Sequence, residues 1–145
     1  MKLDPLDVVL CTSARLRKAS RALSQMYDIV LKPSGLKGTQ FTLLATLDKT
    51  GALPISKLAE VLGMERTTLT RNLKHMIDKG YVEDDLDSDQ RIRLIRITLM
   101  GRGALNEAMP LWGQAQARAV ESLGQADWAL LMNSAEKIAK KIKGE

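Results

Sequence analysis

The sequence predicts a mainly α-helical protein with one small β-hairpin, and three observations indicate that fold class. Over most of the 145 residues, apolar side chains recur every three or four positions, which is the period of an amphipathic helix. Glycines and prolines divide this pattern into helix-sized pieces. Only between residues 81 and 98 does the pattern change to the imperfect alternation of two short strands around a polar loop. We expect residues 1–145 to form a single domain.

The N-terminal part of the chain predicts two helices. Residues 6–31 form a long amphipathic pattern that stops before Pro33 and Gly35. A second helix is expected to begin after Thr39, as its N-cap, and to end near Thr50. The residues that this second helix would turn inward are Phe41, Leu44, Ala45 and Leu47.

Two further helices, joined by a tight turn, are predicted next. The first covers residues 57–62, with Ser56 as the expected N-cap and Gly63 at the C-terminal end, and its apolar stripe is Leu58, Val61 and Leu62. The second covers residues 66–79 and ends at Gly80. Its apolar side chains recur at offsets of three and four, so they share one face. The residues of that face are Leu69, Leu73, Met76 and Ile77.

The opposite face of the second of these helices carries hydroxyl groups and cations near its N-terminal end. Such groups bind phosphate oxygens, and Arg or Lys can also reach guanine bases in a major groove. An ordinary solvated helix face is the alternative interpretation. The turn and the hairpin that follows favour DNA binding. The helix residues that we expect to contact DNA are Arg66, Thr67, Thr68, Thr70, Arg71 and Lys74.

A two-stranded hairpin is predicted after this pair of helices. Tyr81 and Val82 open one strand, residues 91–98 form the other, and residues 84–90 make a polar loop between them. The acidic groups of the loop would repel DNA. Arg91 is a cation at the base of the loop, and it is expected to enter a minor groove. The whole segment is therefore a helix-turn-helix followed by a wing.

Two helices are predicted after the hairpin. Thr98 is the expected N-cap of a helix that runs to about Leu123 and contains Pro110, where a kink is expected. Gly124 ends it, and a last helix covers residues 126–142. The long apolar stripes of the terminal helices need a partner, which a second copy of the chain would supply.

Composition excludes several classes of function. The net charge of +5 supports nucleic-acid binding without establishing it. With one histidine (His75, expected to pack or to lie on a flank) and one cysteine, the chain lacks the common catalytic and metal-binding constellations. We therefore expect no enzyme activity, no catalytic residues, no metal and no cofactor. Asp4 and Asp7 argue against a signal peptide, no apolar run reaches the roughly 20 residues of a membrane span, and a cytoplasmic location is expected.

The helix-turn-helix and wing resemble those of the multiple-antibiotic-resistance regulator (MarR) family. The matching stretches are KLAEVLG at 57–63, RTTLTRNLKHMIDKGYV at 66–82, Asp89-Gln90-Arg91 in the wing and the closing motif from Ile95 to Gly101. The similarity extends upstream to GLKGTQFTLLATL at 35–47 and takes in most of the chain. Glu65 departs from the family pattern, because many members carry a small N-capping residue there.

The resemblance implies a homodimer with intertwined terminal helices. Residues 36–100 would be the DNA-binding lobe, and residues 1–32 and 101–145 the dimerisation region. Two recognition helices would lie about 34 Å apart, in successive major grooves of a pseudo-palindromic operator. The family also implies that residues 53–55 add a third strand to the wing, and that Asp89 braces Arg91.

The resemblance further implies two ways in which DNA binding could be regulated. Small aromatic or lipophilic effectors bind family members between the dimer helices and the winged lobes, and the candidate lining residues are Arg15, Tyr27, Phe41 and Trp112. Each of these four also has an ordinary interpretation as a core or surface residue. Some members sense peroxides through a cysteine near the start of the first helix, which makes Cys11 a candidate redox residue. No cation adjoins Cys11 in the sequence, so we expect a buried structural thiol.

The function expected from the sequence is a homodimeric, DNA-binding transcriptional regulator. It would be a repressor that binds its operator through the helix at 66–79 and the wing at 84–91, and an effector would release it. One alternative is a redox-sensing repressor that uses Cys11. Another is a protein-interaction module, since winged helices also bind proteins. The cationic face of the recognition helix favours DNA.

Overall fold

The computed structural model describes residues 4, 11–86 and 91–143, and it confirms the mainly α-helical fold class with a small β-wing. The helices in the described residues are α1 (Thr12–Leu31), α2 (Gly38–Thr50), α3 (Ile55–Leu62), α4 (Arg66–Asp78), α5 (Leu99–Leu123) and α6 (Gln125–Lys143). A 3-10 turn (Lys32–Ser34) links α1 to the loop before α2. The strands are β1 (Leu53–Pro54), β2 (Val82–Leu86) and β3 (Arg93–Ile97).

The three strands form one antiparallel sheet in the order β1-β3-β2. Leu53 pairs with Ile95, which confirms the third strand that the family resemblance implied. Of the two hairpin strands, β2 is longer than predicted and β3 is shorter. Strand β2 extends through Leu86, because Asp84 and its neighbours pair with β3 instead of belonging to the loop. Strand β3 begins at Arg93, two residues after the predicted start.

Two predicted N-caps are wrong, because both helices begin earlier than the sequence predicts. Helix α3 begins at Ile55, directly after Pro54, so Ser56 lies inside the first turn. Helix α2 begins at Gly38, one residue before the predicted cap at Thr39. There the side chain of Asp28 accepts a hydrogen bond from the Gly38 backbone N–H at 2.8 Å, which satisfies a donor that a cap would otherwise serve. The predicted start of the first helix, at residues 6–10, lies outside the described residues.

The core lies where α2, α3, α4, the sheet and the N-terminal half of α5 meet. Its largest fully buried side chains are Leu31, Leu36, Leu43, Leu44, Leu47, Leu58, Leu69, Met76 and Val82. The apolar stripes of α3 and α4 are narrower than predicted, because Val61 is 51% exposed and Ile77 is 39% exposed. Both helices therefore pack through one strip of side chains and leave their outer faces to solvent.

Helix α5 starts from a local network of hydrogen bonds. The Thr98 hydroxyl accepts from the Gly101 N–H at 3.0 Å, as predicted for an N-cap, and donates to the Gly80 carbonyl at 2.6 Å. Helix α5 contains Pro110 and ends at Gly124, whose φ of 83° suits glycine. Helix α6 then packs along α5. None of the helices in the described part of the chain is both long and apolar enough to cross a membrane.

Candidate DNA-binding surface

Helix α4 is held by one buried face, which leaves the other face to solvent. Leu69, Leu73 and Met76 are buried in the core, as the sequence predicts. The structure places all six helix residues that were expected to contact DNA on the exposed side. The surface between the turn and the end of α4 is therefore a row of hydroxyls and cations that a duplex can approach.

The turn before α4 presents the start of this helix to solvent. Gly63 adopts a left-handed conformation with φ of 63°, and its N–H donates to the Glu60 carbonyl at 3.1 Å. Glu65 occupies the N-cap position of α4, but its side chain makes no capping hydrogen bond. The amide groups of the first turn of α4 are thus not satisfied by that carboxylate, and they remain suitable donors for a phosphate oxygen.

Thr70 differs from the other hydroxyl residues on this face. Its Oγ1 donates to the Arg66 carbonyl at 2.8 Å, one turn earlier in α4. This bond uses the hydroxyl proton, so Thr70 can offer a DNA partner only its oxygen lone pairs. Thr67 and Thr68 lie on the first turn, where hydroxyl groups and backbone amides can act together on one phosphate.

The wing places two arginines beside the start of the recognition helix. Arg91 and Arg93 line a cavity of about 280 Å³ together with Arg66 of α4 and Ser56 of α3. The fold thus brings Arg66 and Arg91, which the sequence selected as candidates, to one place. The predicted brace, Asp89, lies outside the described residues, so its role remains a prediction.

Sequence reasoning missed the ion pair that organises the described part of the wing. Arg93 Nη2 lies 2.8 Å from Asp84 Oδ2, and Arg93 Nε donates to Asp84 Oδ1 at 3.1 Å. Arg93 and Ile95 are two residues apart in β3 and therefore share one face. What the sequence did not show was the hairpin register, in which Asp84 pairs with Ile95 and so lies on the face of Arg93.

The candidate effector residues do not all come together within one chain. Phe41 is buried and stacks on Trp112, with ring centroids 5.7 Å apart and planes 11° apart. The Tyr27 hydroxyl donates to Gln116 Oε1 across α1 and α5, and partial burial raises the pKa of Tyr27. Arg15 is exposed and lies twelve residues before Tyr27, about 18 Å away along a helix. A cleft lined by all four residues would need the second subunit.

The prediction of a buried Cys11 thiol is wrong, because Cys11 is exposed. It directly precedes α1, whose residues from Thr12 to Gln25 are all exposed in the single chain. Hydrogen bonds from the Ala14 and Ser13 backbone N–H groups lower the pKa of the Cys11 thiol. Desolvation opposes that shift, and the positive charge of Arg17 adds to it. Arg17 of α1 thus supplies the positive charge that the residues adjoining Cys11 lack.

A helix-turn-helix whose second helix exposes hydroxyls and arginines, with a wing that adds further arginines beside it, defines a DNA-binding transcriptional regulator. The MarR family model matches residues 36–92. The structure is similar to that of the M. tuberculosis transcriptional regulator MOSR in complex with DNA, at 39% identity and a TM-score of 0.83. That match covers 92% of this chain and 97% of the other. The chain belongs to the MarR family.

A further relative and a further solved structure are also similar to this chain. The Bacillus subtilis protein YwaE, named an uncharacterized HTH-type transcriptional regulator, is 25% identical over 138 residues, which are 94% of this chain and 81% of that protein. The transcriptional repressor CouR, solved bound to p-coumaroyl-CoA, has 21% identity and a TM-score of 0.83. The CouR match covers 97% of this chain and 99% of that chain, and at this identity it shows the fold alone.

Proposed function

We propose that the chain is a cytoplasmic homodimeric repressor that binds a pseudo-palindromic operator and is released by a small-molecule effector. The observation that carries the DNA-binding part is the exposed face of α4, with its hydroxyls and cations beside the arginines of the wing. Residues 36–100 act as the DNA-binding lobe, and residues 1–32 and 101–145 act as the dimerisation region.

The terminal helices support the homodimer. No residue from Gln125 to Ile142 is buried in the single chain, and only Leu31 is buried in α1. Leu16, Ile138 and Ile142 line an open apolar cavity of about 540 Å³ between the two helices. Two long helices with exposed apolar side chains would be unfavourable in water, and a second copy of the same helices covers them.

Light scattering after gel filtration tests the dimer. We expect twice the 16.0 kDa of one chain for the unaltered protein. Ile138→Asp places a charge in the apolar cavity, so we expect it to give the single-chain mass and weaker operator binding. Leu99→Asp is the matched control, because Leu99 is an exposed apolar residue at the far end of α5. A single-chain mass for the unaltered protein would refute the homodimer.

DNA binding is tested with operator DNA selected from a random pool. Filter binding at two salt concentrations should show an affinity that falls steeply as salt rises, because bound Lys and Arg release counterions from DNA. A protein-interaction module would select no DNA sequence and would show no such dependence. This result would favour the alternative function and remove the main part of the proposal.

The effector part rests on the aromatic residues near the α1–α5 contact. The CouR complex shows that a protein of this fold binds p-coumaroyl-CoA. Trp128→Phe leaves Trp112 as the single tryptophan, so its fluorescence can report aromatic carboxylates that bind near the Phe41 ring. A compound that quenches Trp112 and also releases the operator would support the proposal. Release without any change at Trp112 would place the effector site elsewhere.

A redox-sensing repressor is a second candidate, favoured by the exposed Cys11 and its lowered thiol pKa. Its thiolate would attack one oxygen of hydrogen peroxide, forming a sulfenic acid and releasing hydroxide. Peroxide should then release the operator, and a thiol reductant should restore binding. Cys11→Ser is the control that should bind DNA with or without peroxide. Equal peroxide sensitivity of Cys11→Ser would exclude this candidate.

A further inference from the structure

Three arginines from two separate elements meet in the cleft between the recognition helix and the wing. Arg66 belongs to the first turn of α4, while Arg91 and Arg93 belong to the base of the wing, and all three line the same cavity of about 280 Å³. The hydroxyl residue Ser56 of α3 lines it as well. A cleft lined by several guanidinium groups is a favourable environment for an anion.

Asp84 fixes one of the three guanidinium groups. Both carboxylate oxygens contact Arg93, at 2.8 Å and 3.1 Å, in the side-on geometry that suits an Arg–carboxylate pair. The Asp84 side chain is only 23% exposed, whereas that of Arg93 is 72% exposed. Since this pair engages two of the five guanidinium N–H groups, the solvent-facing edge of Arg93 is held in place with donors for a second anion.

The other face of the same hairpin provides a comparison. Arg96 and Glu83 pair directly across β3 and β2. Glu83 lies one residue from Asp84 along β2, and Arg96 lies three residues from Arg93 along β3, so both are on the opposite face of the hairpin. Their contact is a single Nε–Oε1 distance of 3.8 Å. Because side chains alternate along a strand, Arg96 points away from the cleft of Arg66. The wing thus carries one tightly fixed arginine toward the recognition helix and one loosely paired arginine away from it.

We propose that this cleft is a phosphate-binding site, which holds one backbone phosphate of duplex DNA between Arg66 and Arg93, with Asp84 as the residue that positions Arg93. The proposal rests on the proposed DNA-binding function and deepens it. A phosphodiester is an anion whose oxygens match the paired donors of a guanidinium. Such a contact carries no sequence information, so it sets the position of the wing on the duplex.

Arg93→Ala tests the site directly. We expect about a tenfold loss of affinity, the size expected for one charge-assisted contact to a phosphate. The loss should be the same for the selected operator and for unrelated duplex DNA. The slope of log affinity against log salt should fall in magnitude by about 0.9, since one phosphate is no longer neutralised. Arg96→Ala is the matched control, because it removes the same charge from the same strand but on the other face.

Asp84→Asn tests the positioning role through the sign of its effect. Net charge alone predicts tighter DNA binding when a carboxylate is removed. Positioning predicts weaker binding, because Arg93 must then lose side-chain freedom when it binds. Glu83→Gln is the control that removes one carboxylate from the same strand without touching Arg93. We expect Asp84→Asn to bind several-fold more weakly than Glu83→Gln, and double replacement of Asp84 and Arg93 to add little to Arg93→Ala alone.

Three results would overturn the inference. Equal losses for Arg93→Ala and Arg96→Ala would assign the effect to net charge. An Asp84→Asn affinity equal to or above that of Glu83→Gln would remove the positioning role. A loss in Arg93→Ala confined to the operator would indicate a base contact. All of these require that the unaltered protein binds duplex DNA, and its inability to do so would instead refute the proposed function. Circular dichroism and melting curves of each variant ensure that only folded proteins are compared.

Discussion

At Gly101 the backbone of helix α5 packs closely against the winged lobe, and replacement of this residue by alanine tests that contact. A Cβ atom built on Gly101 would lie 2.1 Å from the Tyr81 carbonyl oxygen and 2.9 Å from Ile97 Cγ1. The Tyr81 carbonyl cannot turn aside freely, because it accepts a hydrogen bond from the Thr98 N–H at 3.0 Å. The first turn of α5 therefore fits against the lobe only without a side chain at this position.

The size of the effect follows from these distances. Real Cβ contacts lie above 3.0 Å, so α5 and the Tyr81 carbonyl must separate by roughly an ångström. Overpacking of this kind costs about 1–3 kcal/mol, and the upper end applies because the obstacle is backbone. The higher helix propensity of alanine offsets about 1 kcal/mol of this cost, because glycine is that much less favourable within a helix. We therefore expect Gly101→Ala to destabilise the protein by about 2 kcal/mol.

Gly103→Ala is the matched control for this prediction. It makes the same substitution in the same helix, two residues later, and a Cβ there meets nothing within 4 Å. We expect it to stabilise the protein by up to about 1 kcal/mol. Urea unfolding followed by circular dichroism measures both variants, with a melting temperature about 5 °C lower for Gly101→Ala. If Gly101→Ala were as stable as Gly103→Ala, α5 would not approach the lobe in the way described.

Three further substitutions or measurements test other parts of the structure. Arg71→Ala should weaken operator binding by about 1–3 kcal/mol without changing the unfolding curve, and unchanged affinity in a titration would refute its base contact. Leu69→Asp puts a charge at a fully buried position, so we expect a loss of several kcal/mol in a thermal melt, and an unaltered melting temperature would refute the assigned helix face. Alkylation of Cys11 should become fast at a pH below the ordinary thiol value of about 8.5, and a titration midpoint at or above that value would contradict its lowered pKa.

The parts of the fold that the sequence predicted are those with a strong local signal. The buried face of α4 follows from the spacing of Leu69, Leu73 and Met76, and the N-cap of α5 follows from Thr98. The two wrong N-caps have different causes. At Ser56 the cause is local, because α3 begins directly after Pro54. At Thr39 it is non-local, because a carboxylate from α1 accepts the first N–H of α2, and the residues next to the predicted cap do not show this.

The candidate DNA-binding site was likewise predictable only where a local sequence pattern determined it. The exposed cations of α4 followed from helical period alone. The cleft between α4 and the wing did not, because it depends on which residues of β2 and β3 face each other. A shift of one residue in the register would have moved Asp84 to the opposite face and separated it from Arg93. Ion pairs across a hairpin are therefore the features of this surface that only a structure supplies.

Several specific contacts join the helices of the proposed dimerisation region to one another and to the winged lobe. The Asp28 side chain of α1 accepts a hydrogen bond from the first N–H of α2, and the Tyr27 hydroxyl of α1 donates to Gln116 of α5. The backbone of α5 at Gly101 packs directly against the Tyr81 carbonyl. Each joins a helix of the proposed dimerisation region to another element through a directional or close-fitting contact. Such contacts either persist or break, and they do not stretch gradually. The packing of α5 against the lobe thus depends on the bare backbone at Gly101, which Gly101→Ala tests.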